Sequence, residues 1–520
     1  MAKTRLMNIK LFSLLAAIFL FASHQATAQN IDDKADELFK SHCFEKATER
    51  YLKVFHSNPS NKANPVMLRR ITESILNSEM LRDTARYFAD LYLDLIQDDT
   101  EAYLFAARAH YHAHEFDKAL VCLDSFVVRA TSVEEIQKYD LLNSWIRNAR
   151  RMLKDTLRNP VINLGDVINS RNNEINPYIV NDGHSLVFSC DDKFDRDATI
   201  TVYNIKSSDQ TALSWSPAKK VSTINTLADE YPTGPTPDGF FYCTNNSGRN
   251  FTLNTAKYAT GGRCSSPEKL DKPIDMDGSE VAGCLTQTGD TIFFSATNEN
   301  GKLDIFYSIR SYNGQWMKPR PIPGLVNRFD SDENFPYLAY NGTRLFFASN
   351  REGTMGGYDI FYSDFDFQKY EWGKPVQLPY PINDTYDNMT ISFSKYNRYA
   401  YVSLFREDSF GGRDIYAILF DHILPTSAII KYSLKLRDAK RKPVEITDQP
   451  RIEIRNDYGD LVGIQRMNMR TNTFVVVLDP GTYTMTIDIE GAEHHEEQIV
   501  VEERTYDSTP IENTITLKKL

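Results

Sequence analysis

The residues of this chain that could do chemistry are few. FASNREGTMGGYDIFY (347–362) packs three glycines between two apolar, aromatic-rich runs. Such a loop can cradle a phosphate, in which case it occurs once and feeds a helix. It can equally turn a β-hairpin and feed a strand. His110, His112 and His114 stand at alternate positions, and the first and last share a helical face. The glutamate of an HExxH zinc site is missing and His114 falls at an expected helix-to-helix turn, so the three read as surface histidines. Asp275-Met276-Asp277 offers oxygens to Ca²⁺ at alternating positions, but without the rest of a ligand loop. Asp330-Ser331-Asp332-Glu333 belongs to a polar turn, and Glu493-His494-His495-Glu496-Glu497 reads as a solvated loop. The chain has no GxSxG elbow and no Walker sequence.

Six cysteines (43, 122, 190, 243, 264 and 284) form no CxxC pair and no metal-ligand spacing. They read as buried free thiols, with Cys190 and Cys243 at the same place in successive repeats. No cofactor, metal site or catalytic residue is expected.

The glycine-rich stretch has siblings. YVSLFREDSFGGRDIYA (401–417), TIFFSATNENGKLDIFY (291–307), LVFSCDDKFDRDATITVY (186–203) and FFYCTNNSGRNFTLNTA (240–256) each join two apolar strands through a polar turn. A recurring element that feeds a strand is a hairpin, and its glycines would supply positive-φ turn positions. Each hairpin follows an acidic or amide pair: Asn173-Glu174, Asp229-Glu230, Ser279-Glu280, Asp332-Glu333 and Asp387-Asn388. The second members lie 56, 50, 53 and 55 residues apart. Asp304, Asp359 and Asp414 recur before Ile-aromatic and read as turn-locking residues whose carboxylates satisfy backbone N–H groups. After the hairpins come WSPAKKVS, CSSPEKLD, WMKPRPIPG and WGKPVQLP, each an outer strand. Four strands in about 50 residues make a propeller blade. The fifth outer strand is found upstream, in NPVINLGDVINS (159–170), which resembles WGKPVQLPYPIN. That strand would close the ring of a five-bladed propeller, with six blades as the alternative.

Ahead of the propeller the period changes. Phe44, Ala47, Tyr51, Val54 and Phe55 lie on one helical face. The face returns as Leu81, Ala85, Phe88, Leu91 and Tyr92, then as Phe116, Leu120, Leu123, Phe126 and Val127. A period near 34 is that of tetratricopeptide helix pairs, which stack into a groove for protein or peptide. Ser132-x-x-Glu135 is a capping box opening a last helix with Leu142, Trp145, Ile146, Ala149 and Leu153 on its inner face. At the other end, 431–456 and 473–491 alternate at period two around an Asp479-Pro480-Gly481 turn, as in a small β-sandwich.

Lys3, Arg5 and Lys10 precede the apolar run LFSLLAAIFLFA (11–22) and the small-x-small site Ala26-Thr27-Ala28. This is an export leader cleaved between Ala28 and Gln29, its apolar run shorter than the roughly 20 residues of a spanning helix. A net charge of −11 over 520 residues without a basic run argues against nucleic-acid binding. Hydrophobic residues at 41% and charged residues at 25% fit a soluble globular chain, and 28 Tyr with 30 Phe favour sheet.

The series Glu…Pro…DG…FFASNR…GGYDIFY…WGKPVQLP resembles the PD40, or WD40-like, propeller repeats related to the periplasmic protein TolB. Helical repeats followed by such a propeller resemble Gram-negative envelope proteins associated with type IX secretion and gliding. LDPGTYTMTIDIEG is similar to the last hairpin of the carboxypeptidase-regulatory-like domain that follows in that family. The family's OmpA-like domain, which grips peptidoglycan, has no counterpart before Leu520.

The expected organisation is therefore a leader (1–28), tetratricopeptide-like helical repeats (29–156), a PD40-like propeller (159–422) and a carboxypeptidase-regulatory-like sandwich (426–520). Its repeat-motif residues are Glu174, Glu230, Glu280, Glu333, Asp304, Asp359 and Asp414. The resemblance implies a non-enzymatic scaffold in the periplasm or at the outer membrane, with envelope-protein partners on the helical groove and propeller face. It implies no direct peptidoglycan anchor and no transmembrane segment in the mature chain. The alternative expectation is a binder of glycan or cell-wall fragments through a propeller face.

Overall fold

The computed structural model describes residues 32–78, 82–181, 183–195, 200–211, 215–245, 251–270, 272–276, 280–339, 342–366, 368–394, 399–419, 428–478, 481–501 and 511–520. The leader, Leu81 and the Asp479-Pro480 half of the sandwich turn lie outside them. The described residues form two compact units. One comprises the chain to Ile146 with the segment Phe194–Thr201, and the other the remainder.

The first unit is helical: α1 (Asp33–Lys40), α2 (Phe44–Ser57), α3 (Pro65–Ser78), α4 (Arg82–Leu95), α5 (Thr100–His112), α6 (Phe116–Arg129) and α7 (Val133–Met152), the last running on into the second unit. Local signals set the boundaries. Asn64 accepts the N–H groups of Val66 and Met67 at 3.1 and 3.2 Å, with Pro65 at the first helical position. Glu135 N donates to Ser132 Oγ at 3.1 Å and Ser132 N to Glu135 Oε2 at 2.9 Å, a reciprocal capping box. Ala47, Tyr51 and Phe55 of α2 are buried, as are Ala85, Phe88 and Tyr92 of α4 and Ala119, Leu123 and Phe126 of α6. Phe55 meets Phe88 edge-on at 5.0 Å, so the apolar faces of successive hairpins form one core.

The second unit is β. Between 161 and 419 the described residues form five antiparallel sheets whose strands run in chain order, the strand order of a β-propeller. The first sheet has β2 (Glu174–Val180), β3 (Ser185–Asp195), β4 (Ile200–Asp209) and β5 (Lys219–Lys220). The second has β6 (Asp229–Thr236), β7 (Gly239–Asn245), β8 (Phe251–Ala259) and, both pairing β8, β9 (Arg263–Cys264) and β10 (Glu268–Lys269). The third has β11 (Glu280–Leu285), β12 (Thr291–Thr297), β13 (Leu303–Ile309) and β14 (Arg320–Pro321). The fourth has β15 (Glu333–Ala339), β16 (Arg344–Ser349), β17 (Asp359–Asp366), β18 (Glu371–Trp372) and β19 (Val376–Gln377). The fifth has β20 (Ile391–Phe393), β21 (Tyr399–Leu404) and β22 (Asp414–Leu419), and its outer strand is β1 (Val161–Asn163). Val161 pairs with Ile418 and Asn163 with Tyr416, so the upstream segment completes the last sheet.

The first strands of these sheets touch in cyclic order, β2 with β6, β11, β15, β20 and back to β2. Tyr178, Tyr337 and Phe393 come from three of them and pack together at 6.2 and 5.9 Å between ring centres. An apolar core, not a channel lined by charge, therefore occupies the middle of this group of strands.

Register corrects the reading of the cysteines. Glu174 lies opposite Cys190, but Glu230 lies opposite Thr244, and Cys243 faces Tyr231. The two thiols are one residue out of phase, and in a strand one residue changes the face. All six cysteines stand as thiols, but only Cys43, Cys190, Cys243 and Cys284 are buried, Cys122 and Cys264 being partly exposed.

The C-terminal region has two four-stranded sheets. One contains β23 (Ala428–Arg437), β24 (Pro443–Val444), β27 (Thr473–Leu478) and β30 (Ile511–Lys518). The other contains β25 (Arg451–Asn456), β26 (Leu461–Gln465), β28 (Gly481–Asp488) and β29 (His495–Val501). Both contribute to one core, with Tyr432 stacked on Phe474 at 5.0 Å. His495, Glu496 and Glu497 are part of edge strand β29 and not of a loop, and charges suit an unpaired edge.

Candidate functional site

The recurring polar residues converge on the junctions between successive sheets. Four of the five linking segments carry an apolar residue followed by an amide: Ile168-Asn169, Ile224-Asn225, Val326-Asn327 and Ile382-Asn383. The apolar member is buried in every case. The asparagine then grips both backbone groups of one residue in the third strand of the neighbouring sheet. Asn225 accepts Ile205 N–H and donates to Ile205 O, both at 2.8 Å. Asn327 does the same to Ile305 at 2.9 and 2.9 Å, and Asn383 to Ile360 at 2.7 and 2.9 Å. Asn169 applies the same grip to Ile415 of the fifth sheet, at 2.8 and 3.0 Å. A side-chain amide matches a peptide group donor for acceptor, which is why Asn suits the position.

A second grip comes from the residue before the recurring glutamate or, in the fifth sheet, before Asn388. Asn173, Asp229, Asp332 and Asp387 accept the N–H groups of Arg413, Tyr203, Leu303 and Tyr358 at 2.9, 2.9, 3.0 and 2.8 Å. Each donor lies two residues before the one held by the asparagine. The paired glycines of the opening stretch serve this grip, which corrects the turn reading. Of that stretch, only Gly353 has positive φ, at 104°. A Cβ on Gly357 would sit 2.1 Å from Asp387 Oδ1, and one on Gly412 would sit 2.1 Å from Asn173 Oδ1. A Cβ on Gly356 would meet Tyr386 O at 2.7 Å, and one on Gly411 would meet Arg171 C at 2.5 Å. The glycines are present because the next linking segment passes against their backbone.

The recurring glutamates are buried and occupied. Glu174 accepts Ser170 Oγ at 2.6 Å, Ser170 N at 3.0 Å and the Cys190 thiol at 3.2 Å. Burial pushes its carboxyl up to about 7, against those donors. Glu333 accepts Ser331 Oγ and Ser349 Oγ at 2.6 and 2.8 Å and pairs with Arg351 at 3.0 Å. Arg351 is held between Phe347 and Phe361, 5.0 and 4.9 Å from their ring centres. Burial raises the Glu333 carboxyl, and its hydroxyl donors and Arg351 act against that rise. Glu230 is fully buried and takes a hydrogen bond from the Thr226 hydroxyl. Glu280 opens β11, but its side chain lies outside the described residues.

Asp359 accepts Met355 N at 2.9 Å and Gln377 Nε2 at 2.5 Å, and burial lifts its carboxyl to about 8. Asp414 accepts Phe410 N and Asn163 Nδ2, both at 2.8 Å, and burial raises it too. Asp304 is half-buried and likewise raised by burial. All three immediately precede a residue held by an asparagine.

The remaining candidates are dispersed. Asp275 pairs with Lys269 at 2.7 Å, and Asp277 lies outside the described residues. Among the described residues no group of three His, Cys, Asp or Glu side chains is placed to hold a metal ion. His110 is not a surface residue. It is buried in the helical unit between Asp90 and Glu115, while His114 occupies the α5–α6 turn at φ 59°.

The asparagine grip was not anticipated from the sequence, although its signal was present as the repeated Ile/Val-Asn pair upstream of Glu174, Glu230, Glu333 and Asn388.

No family model matches the chain, and no curated protein matches it. Among solved structures it is similar to a glycoside hydrolase at 10% identity, over 52% of this chain and 94% of that one, with a TM-score of 0.37. It is also similar to TolB from Acinetobacter baumannii at 13% identity (54% and 60% covered, TM-score 0.26). A thermostable family-43 glycoside hydrolase is 13% identical (49% and 91% covered, TM-score 0.34).

Proposed function

We propose that this chain is a non-enzymatic interaction scaffold of the cell envelope, exported through residues 1–28 and resident in the periplasm or peripheral to the outer membrane. In this reading the helical unit is a tetratricopeptide-like array docking one protein partner. The five sheets are the blades of one closed PD40-like, TolB-like propeller whose face docks a second. The C-terminal sheets form a carboxypeptidase-regulatory-like sandwich that spaces or docks the assembly, of which type IX secretion is the proposed kind.

The observation that carries the reading is what the recurring carboxylates do. A glycosidase needs two carboxyls across a substrate space, roughly 5–9 Å apart. Here Glu174, Glu230, Glu333, Asp359 and Asp414 are each buried and bonded to hydroxyl, amide, guanidinium or backbone donors of the framework. Beyond their opening acidic residues, β2, β6, β11, β15 and β20 carry no carboxylate. No helix among the described residues is long and apolar enough to cross a membrane.

The alternative is glycan binding, favoured by Tyr312, which is 97% exposed on the hairpin where Arg310 stacks on Trp316 at 4.4 Å. In-cell crosslinking of the full chain and of a chain lacking 32–154 separates the two. A scaffold captures envelope proteins, loses one set with the array, and shows no melting shift with cell-wall fragments. A glycan binder shifts with those fragments, and Tyr312→Ala abolishes the shift. Turnover of a glycoside library, stopped by changing one carboxylate, would overturn both readings.

A further inference from the structure

Of the histidines singled out in the sequence, His110 has the most unusual surroundings. It is 4% exposed at the end of α5. Its Nδ1 lies 2.7 Å from Glu115 Oε2 and its Nε2 lies 2.9 Å from Asp90 Oδ1. A carboxylate only accepts, so both ring nitrogens must carry protons for both contacts to be hydrogen bonds. Neutral imidazole has one N–H, so the buried ring would turn a lone pair towards one of the two partly exposed carboxylates.

The contacts are also structurally placed. Asp90 belongs to α4, His110 to α5, and Glu115 to the turn that opens α6. One imidazolium thus ties three consecutive elements of the array. Other charged groups around it hold Glu115 as an anion. Arg86 of α4 pairs with Glu115 at 2.5 Å, and Lys118 of α6 pairs with it at 3.1 Å. Cys122 of α6 is raised to about 11, by burial first and then by Asp90.

We propose that His110 is a protonation switch for the helical array, holding α4, α5 and the α5–α6 turn together as the imidazolium and releasing them when it loses a proton. The Asp90 hydrogen bond raises its affinity for that proton, and Glu115 adds to the effect against the opposing pull of burial. A histidine raised in the folded state contributes its full stability below the ordinary imidazole value. That contribution is lost as pH rises through the folded value. The array is therefore tightest in mildly acidic medium and loosens towards alkaline pH, which also alters any surface it offers a partner.

The test uses the full chain. With ¹³C-labelled histidine, the ring resonances assigned by loss in His110→Gln are followed from pH 5 to 10, beside helical melting at 222 nm. The expected result is a His110 midpoint clearly above 6.5, and helical melting that falls with rising pH in the wild type but not in His110→Gln. If the variant does not fold, Asp90→Asn provides the second reading and lowers the midpoint. A His110 midpoint at or below 6.5, or an unchanged melting slope in His110→Gln, would overturn the proposal.

Discussion

Asn169 holds Ile415 by both backbone groups, accepting its N–H at 2.8 Å and donating to its carbonyl at 3.0 Å across 246 residues of sequence. The same pair of bonds joins Asn225 to Ile205, Asn327 to Ile305 and Asn383 to Ile360. The closing junction is thus built like the internal ones. Ser403 Oγ adds a bond to Glu174 O at 2.6 Å, just as Ser189 Oγ bonds to Glu230 O at 2.6 Å.

Replacing Asn169 by Leu leaves the Ile415 N–H without its acceptor, while the Ile415 C=O keeps the Leu164 N–H at 3.2 Å. One orphaned N–H costs roughly 1–3 kcal/mol, so a loss of about 2 kcal/mol is expected. Asn169→Asp keeps the acceptor and loses the donor, and should fall between. Urea unfolding followed by tryptophan fluorescence reads the propeller through Trp215, Trp316 and Trp372. A change under about 0.5 kcal/mol in Asn169→Leu would show that the grip does not hold the ring.

Gly357→Ala and Gly353→Ala should differ in kind. The first drives a Cβ to 2.1 Å from Asp387 Oδ1, displacing the carboxylate that accepts Tyr358 N–H. Overpacking together with the lost bond costs about 3 kcal/mol. The second puts a Cβ into open space but at φ 104°, for about 1 kcal/mol of backbone strain. Equal losses in the two variants would mean that turn conformation, not close approach, requires the paired glycines.

The sequence was most legible where periodicity carries the information. Helix faces, hairpins and the displaced outer strand all announce themselves through apolar spacing, because burial imposes a period of 3.6 or 2. NPVINLGDVINS could be placed in the last sheet because it shares the apolar pattern of WGKPVQLPYPIN. The grips were less legible. A linking segment has no period, and what Asn169 does depends on Ile415, which only the closed ring brings near. His110 escaped for the same reason, since Asp90 reaches it from another helix. The glycines misled because a tight turn and a close backbone approach favour the same residue.

Glu174 sets a pH dependence for the propeller. Burial lifts its carboxyl to about 7, with Asp414 adding a smaller push in the same direction. A carboxyl raised in the folded state contributes stability below its ordinary value near 4.3, and that contribution is lost as pH rises through the folded value. Asp359, lifted to about 8, extends the loss upwards. The fluorescence-detected melting temperature should therefore fall between about pH 4.3 and 8, and Glu174→Gln should flatten the part of that fall below about pH 7. A melting temperature that rises with pH, or a slope unchanged in Glu174→Gln, contradicts this assignment.

The junction between the second and third sheets breaks the pattern, and that exception gives the sharpest test of the grip. Where the other linking segments have Asn after a buried Ile or Val, this one has Asp275 after Ile274. A carboxylate can accept the strand's N–H but cannot donate to its C=O. Asp275 is instead drawn to Lys269 at 2.7 Å, a lysine whose side chain is 57% exposed, so the pair is worth at most about 1 kcal/mol. Asp275→Asn gives up that pair and offers an amide donor to β8, whose Leu253 lines the same cavity as Asp275. A hydrogen bond contributes about 1 kcal/mol. The balance favours the variant: fluorescence-detected unfolding should shift to higher urea, by about 0.5–1 kcal/mol. The reverse change at an intact junction, Asn327→Asp, should lose at least as much. If Asp275→Asn destabilises while Asn327→Asp does not, the amide is not what fastens one sheet to the next.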